Sequence, residues 1–230
     1  MKKDFSKLEK ALGLDFKNQD LLKQALVHRS YLNEHPDFEL EHNERLEFLG
    51  DAVLELAVTE YLYRHYKNPE GELTNWRASL VNSNSLAELA GELELEPYLF
   101  LSKGEAQDNK SKARQYILAN AVEALIGALY LDSGFKKAEQ FIAKKLLVKL
   151  DNILKNELYL DPKSSFQEAA QEKTGITPHY QVLAEEGPDH DKQFKVGVYL
   201  NKEMVAIGKG SSKQEAQVAA AANALKTKKW

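Results

Sequence analysis

Apolar residues recur at spacings of three and four along the first two-thirds of the chain, the period of helices that bury one face. The spacing predicts helices near 5–12, 18–32, 41–66, 72–80, 83–94, 113–131 and 135–156. Breaks fall at His35-Pro36-Asp37, Asn68-Pro69-Glu70-Gly71, Glu96-Pro97 and Asp132-Ser133-Gly134, where proline and glycine punctuate the pattern. No strand-like alternation of any length interrupts them, so an all-helical domain is expected. After Leu160 the period changes. Asp161-Pro162 reads as an N-cap followed by proline at the first helical position, opening a short amphipathic helix that stops at Gly175. Tyr180–Ala184, Phe194–Leu200 and Met204–Gly208 alternate as strands, with a tight turn at Asn201-Lys202-Glu203. Ser212-Lys-Gln-Glu215 is a capping box for a final Ala-rich helix reaching about Lys226. The expected fold is mainly α: a helical domain over 1–151, a polar linker over 152–160 with few anchors, and a small α-β-β-β-α domain over 161–230.

Composition changes this picture little. At 230 residues, 43% hydrophobic and 29% charged, the chain has the make-up of an ordinary soluble protein. It contains no run of eighteen apolar residues and no apolar signal core after Met1, so no membrane contact is expected. The absence of cysteine removes disulfides, thiolate nucleophiles and thiolate metal sites, and suits a cytoplasmic protein. A formal charge of −4 argues weakly against nucleic-acid binding, but it is unevenly spread. Residues 158–230 hold 10 Lys and 9 acidic residues, whereas 1–157 hold 21 basic and 26 acidic ones. The acidic excess lies with the candidate chemistry.

That chemistry begins at Glu44-Arg-Leu-Glu47-Phe-Leu-Gly-Asp51. Offsets of three and seven bring Glu44, Glu47 and Asp51 within roughly 60° of one another on a helix. Like charges so placed repel and cost free energy to desolvate, unless they form a solvated face or a cation neutralises them. Glu55 falls on the same stripe. Gly50, beside Asp51, allows another backbone to approach closely. Far along the chain, the 117–131 helix is apolar on nearly every face and so should be buried. Glu123 is its only charge, with Asn120 one turn earlier on the same side. A buried carboxylate needs a basic partner, a proton or a cation, and Arg45, Arg77 and Arg114 are the candidate partners. Two helices that each bring oxygen ligands suit Mg²⁺ or Mn²⁺. Zinc would want Cys or His, and a di-iron bundle would want Glu-x-x-His pairs that the chain lacks. His28 and His42 fit no ligand spacing and read as core or hydrogen-bonding residues. An oxygen-ligated divalent cation most often serves phosphate chemistry.

The small domain offers surfaces for a phosphate-rich partner. At the start of its last helix, free N–H groups, the helix dipole, Ser212, Lys209 and Lys213 suit a phosphate. Ser164, Gln167, Glu168 and Gln171 form a polar stripe on its first helix that could meet ribose hydroxyls and base edges in a shallow RNA groove. Alternatively the stripe is a solvated face and Ser212 an ordinary cap.

These motifs carry a family resemblance. Residues 161–226 resemble a double-stranded-RNA-binding domain, on Gly187-Pro-Asp-His190 and Gly208-Lys-Gly-Ser-Ser-Lys-Gln-Glu-Ala216. Residues 5–150 resemble the ribonuclease III catalytic domain, on the signature His42-Asn-Glu-Arg-Leu-Glu-Phe-Leu-Gly-Asp-Ala-Val-Leu54. Supporting segments are Ala25–Tyr31, Arg77–Asn82 and Ile117–Asp132. The resemblance implies a homodimer that hydrolyses both strands of double-stranded RNA with Mg²⁺, leaving 5′-phosphates, 3′-hydroxyls and short 3′ overhangs. Substrates would be rRNA precursors and other structured transcripts. It implies that Glu47, Asp51, Asn120 and Glu123 hold metal, with Asp51 and Glu123 closest to the chemistry and Glu44 aiding catalysis. His190 joins the RNA-binding residues, and Phe48 becomes the aromatic that plugs into a partner subunit. Asn120 stands where the family usually has Asp, which weakens the expected metal affinity; the alternative is a duplex-binding protein that cuts poorly. Gln214 and Gln217 stand where Lys is common, which implies a shallower salt dependence of binding.

Overall fold

A computed structural model of the chain describes residues 3–108, 111–157, 159–188 and 192–230. The chain divides into two compact units, Met1–Tyr159 and Leu160–Trp230. The first is helical: α1 (Phe5–Leu12), α2 (Gln19–Ala25), α3 (Arg29–Glu34), α4 (Glu44–His65), α5 (Glu70–Val81), α6 (Ser83–Glu92), α7 (Lys103–Gln107), α8 (Lys112–Ser133), α9 (Phe135–Lys145) and α10 (Leu150–Lys155). Its core is built around α8, where Ala121, Val122, Ala124, Leu125, Ile126 and Ala128 are all buried. A helix apolar all round is stable only when neighbours cover every face, and α2, α4, α6 and α9 pack against it. No described helix is long and apolar enough to cross a membrane.

Three expectations need correction. The helix expected over 18–32 is two helices. Between them the chain pairs with a distant segment: His28 N–H donates to the Phe100 carbonyl (3.0 Å) and Phe100 N–H to the Leu26 carbonyl (2.8 Å), around a parallel bridge of Val27 with Phe100. Helical spacing is a local signal and does not register such a pairing. The His28 ring recaps α3 by accepting from Ser30 N–H. Likewise the helix expected over 135–156 breaks at Leu146 and continues as a 3-10 turn and α10. The linker expected over 152–160 is better anchored than its polarity implied. Ile153 on α10 is buried, and the Tyr159 ring meets Trp76 edge-on at 5.9 Å. One buried side chain and one half-buried ring anchor this polar stretch to the helical unit.

The second unit has α11 (Pro162–Thr174), β1 (His179–Glu186), β2 (Gln193–Leu200), β3 (Glu203–Gly210) and α12 (Lys213–Lys228). The strands form one antiparallel sheet in the order β1-β2-β3. Phe166, Ala170, Val198, Leu200, Val205, Ala220, Ala221 and Ala224 make its core. A Cβ on Gly208 would lie 2.1 Å from the Ala220 nitrogen, so β3 and α12 pack backbone against backbone. The small side chains of α12 and Gly208 permit that approach. The architecture is the expected helical domain followed by α-β-β-β-α.

Candidate metal centre and RNA-binding surface

The acidic cluster is assembled by a glycine crossing. A Cβ on Gly50 of α4 would lie 1.8 Å from the Glu123 carbonyl oxygen, and one on Gly127 of α8 would lie 2.2 Å from the Leu46 carbonyl oxygen. The two helices therefore touch through their backbones, and the residues around the contact are Glu47 and Asp51 on one side and Glu123 on the other. Gly50 acts as its sequence position implied; the matching role of Gly127 was not foreseen.

Electrostatics joins these groups into one site. Burial pushes the Glu123 carboxyl up to about 7, and the neighbouring charges of Asp51 and Glu47 add to the shift. Glu47 is raised by burial and then by Glu44, with a smaller push from Asp51; the Asn120 amide donates it a hydrogen bond that partly offsets this. Asp51 is exposed. The basic partners considered for Glu123 are engaged elsewhere: Arg45 with Glu41 at 3.6 Å, Arg77 with Glu55 at 3.9 Å, and Arg114 with Glu96 at 2.6 Å. The Arg77 pair also occupies Glu55. Glu123 is thus left to a proton or a cation.

Glu44 sits apart from its neighbours' burden. It is half-exposed at the start of α4, 3.5 Å from an Arg29 Nη and 3.8 Å from His42 Nδ1. Neither contact was readable from spacing. Buried Asn43 fixes this corner, its amide donating to the Ala25 carbonyl and its N–H to the Val27 carbonyl. Among the described residues, no three His, Asp or Glu side chains close into a metal cage by themselves. The donors gathered at the crossing, counting the Asn120 amide oxygen, are hard oxygens throughout. A hard divalent cation there would relieve the repulsion that lifts Glu47 and Glu123.

In the second unit Ser164, Gln167, Glu168 and Gln171 are all exposed, while Phe166 and Ala170 turn inward. Ser164 donates through N–H and hydroxyl to the capping Asp161 (3.0 and 2.8 Å). Ser212 caps α12 by accepting from Glu215 N–H, and the Glu215 carboxylate accepts from Ser211 N–H (3.0 Å). Lys209 is exposed. Lys213 pairs with Glu185 at 2.9 Å and lies over the Phe194 ring, so a phosphate at α12 would displace an exposed ion pair. Gln217 accepts from Lys163, tying α12 to α11. His190 lies outside the described residues. In the helical unit Phe48 is 81% exposed, one residue from Glu47.

Comparison with known proteins finds a family for each of the two units. Residues 18–150 match the ribonuclease-III-like family and residues 162–228 the double-stranded RNA binding motif. Ribonuclease 3 of Carboxydothermus hydrogenoformans is 45% identical over 225 residues, 97% of this chain and 95% of that protein. The chain belongs to the ribonuclease III family. Ribonuclease 3 of Borreliella burgdorferi is 44% identical, over 98% of this chain and 91% of that one. The crystal structure of the nuclease domain of ribonuclease III from Campylobacter jejuni is 38% identical with a TM-score of 0.54, covering 65% of this chain and 97% of that one. A further structure of that domain, 39% identical with a TM-score of 0.53 over 62% of this chain and 98% of that one, describes flexibility in a region involved in its dimer formation. As a member of the ribonuclease III family, the protein is an endoribonuclease that acts on double-stranded RNA.

Proposed function

We propose that the α4–α8 crossing is a Mg²⁺-dependent site that hydrolyses phosphodiesters in both strands of an RNA duplex. The products are 5′-phosphate and 3′-hydroxyl ends with short 3′ overhangs, and the working form is a cytoplasmic homodimer. Precursors of rRNA and other structured transcripts are the substrates. The observation that carries this reading is the backbone contact of Gly50 with Glu123, which brings a raised-pKa carboxyl up against the Glu47–Asp51 stripe.

Glu47, Asp51, Asn120 and Glu123 would hold the cation, with Mn²⁺ an acceptable substitute because both prefer hard oxygen. When bound, such a cation polarises phosphoryl oxygens, lowers the pKa of coordinated water and stabilises the departing oxygen. Without a cation, burial and the charges of Asp51 and Glu47 push the Glu123 carboxyl up to about 7, and a bound cation would favour its ionised, ligating form. Asn120 orients Glu47 through its amide N–H, and its amide oxygen is the atom that would meet water or metal. Arg29 pairs with Glu44 at the start of α4, and His42 Nδ1 accepts the Glu44 backbone N–H. The exposed stripe of α11, with Lys209 and Lys213, supplies duplex binding without base reading, since an RNA helix offers mainly hydroxyls and phosphates.

The test is cleavage of a long RNA duplex, with and without Mg²⁺, by the wild type and Glu123→Gln. The substitution removes charge at nearly constant shape. Cleavage should require Mg²⁺ and vanish in Glu123→Gln, while duplex binding stays within about twofold, because the second unit is untouched. Wild-type rates in Glu123→Gln would refute the site.

A further inference from the structure

One turn before Asn120, α8 carries Tyr116, which is 56% exposed. Offsets of four and seven place it roughly 40° from Asn120 and 20° from Glu123 around the helix, and about 6 and 10 Å from them along its axis. Tyr116 therefore starts from the same stripe of α8 as the site residues. Its turn is firmly held. Ser111 accepts from Arg114 N–H (3.1 Å), buried Arg114 grips Glu96 through Nε (3.0 Å) and Nη2 (2.6 Å), and the Gln115 amide donates to Asn84. Tyr116 takes no part in this network. Among the described residues its hydroxyl has no hydrogen-bond partner and its ring no aromatic or cationic neighbour. A large aromatic on a rigid turn, left in solvent beside an acidic cluster, contributes little to the core.

We infer that Tyr116 is a substrate-contact residue, its phenol hydroxyl donating to a phosphate oxygen or ribose hydroxyl of the RNA strand lying at the α4–α8 crossing. The inference rests on reading that crossing as the cleavage site. Chemistry selects the mode of contact. Bases in a duplex are paired and stacked, so the ring has no free base to sandwich, whereas the duplex exterior presents hydroxyls and phosphates. A Lys or Arg at this position would be drawn to the carboxylates or would oppose a bound cation. A phenol is neutral at working pH and donates without either conflict. The hydroxyl, not the ring, is thus the functional part.

The experiment compares full-length wild type, Tyr116→Phe and Tyr116→Ala in steady-state cleavage of a defined duplex at several salt concentrations, with Glu123→Gln as control. Both Tyr116 variants should raise KM roughly tenfold, the worth of one hydrogen bond to a charged or strongly polar acceptor. Values of kcat should stay within about twofold, and the salt slope of KM should not change, because no charge is lost. Tyr116→Phe keeps the shape of an exposed ring, so matched thermal melts separate its effect from misfolding. A wild-type KM for Tyr116→Phe overturns the inference, as does an altered sedimentation of Tyr116→Ala, which would assign the ring to a contact between copies. Cleavage by Glu123→Gln would overturn the site and this inference together. An inactive Glu123→Gln beside an unaffected Tyr116→Phe would overturn the inference alone.

Discussion

The fold favours the protonated form of Glu123 and penalises its charged form, and pH should expose this. Its folded carboxyl titrates at about 7, against an ordinary value of 4.5. Between those values the folded state binds more protons than the unfolded state, so stability falls as pH rises. The stabilising proton is fully present below about pH 4.5 and is lost as pH climbs through 7. In metal-free buffer the melting temperature should therefore drop between about pH 5 and 8, and Glu123→Gln should flatten the drop. Calorimetry with EDTA measures both; parallel curves for the two proteins would contradict the assignment. Asn120 poses the complementary question. Asn120→Asp removes the amide that donates to Glu47 and adds a fourth carboxylate to Glu47, Asp51 and Glu123. Added repulsion should lower metal-free stability, while the extra charge should reduce several-fold the Mg²⁺ needed for half-maximal cleavage. A Mg²⁺ titration of the two proteins decides; superimposable curves would mean that position 120 does not limit metal binding.

At the scale of elements, the crossing of α4 and α8 holds the site's geometry, and two glycines hold the crossing. Gly127→Ala would put a methyl 2.2 Å from a backbone oxygen, and backbone yields less readily than the tip of a side chain. The helices must separate, at a cost of at least about 2 kcal/mol, and Glu123 moves with them. Gly71→Ala on α5 is the control, since its Cβ meets nothing within 4 Å, and it should leave stability unchanged or raise it by up to about 1 kcal/mol. Urea unfolding and cleavage assays on both variants would separate helix spacing from a generic glycine effect. This crossing also marks what sequence can reveal. The stripe Glu44–Glu47–Asp51 and the lone charge Glu123 stand out because helical period is a local property. Gly50 was readable as a point of close approach for the same reason. What Gly127 meets, which carboxylate each of Arg45, Arg77 and Arg114 chooses, and the Val27–Phe100 pairing that splits α2 from α3 all depend on contacts between distant segments. Periodicity carries no record of those. The short α7 spans too few residues to show a period at all.

On the scale of the molecule, the exposed face of α4 carries an apolar stripe that its own core does not explain. Phe48, Leu56 and Tyr63 are 81%, 56% and 75% exposed along α4. Their offsets keep them within about 80° of one another, a stripe broad enough to be an interface rather than scattered surface residues. A two-fold dimer meets itself through the same patch on each copy, so one helix stripe supplies both halves of the contact. Phe48→Glu would place two unpaired carboxylates in that contact and should render the protein monomeric at micromolar concentration, where the wild type should sediment as a dimer. Phe48 adjoins Glu47, so lost cleavage alone would not distinguish a broken interface from a disturbed site. The milder Phe48→Ala separates them: if the defect is dimerisation, its specific activity should climb towards the wild-type value as protein concentration rises, by mass action. A defect that stays constant over a hundredfold range of concentration would instead place Phe48 in the site of its own subunit. A wild type that sediments as a monomer at micromolar concentration would remove the dimer altogether.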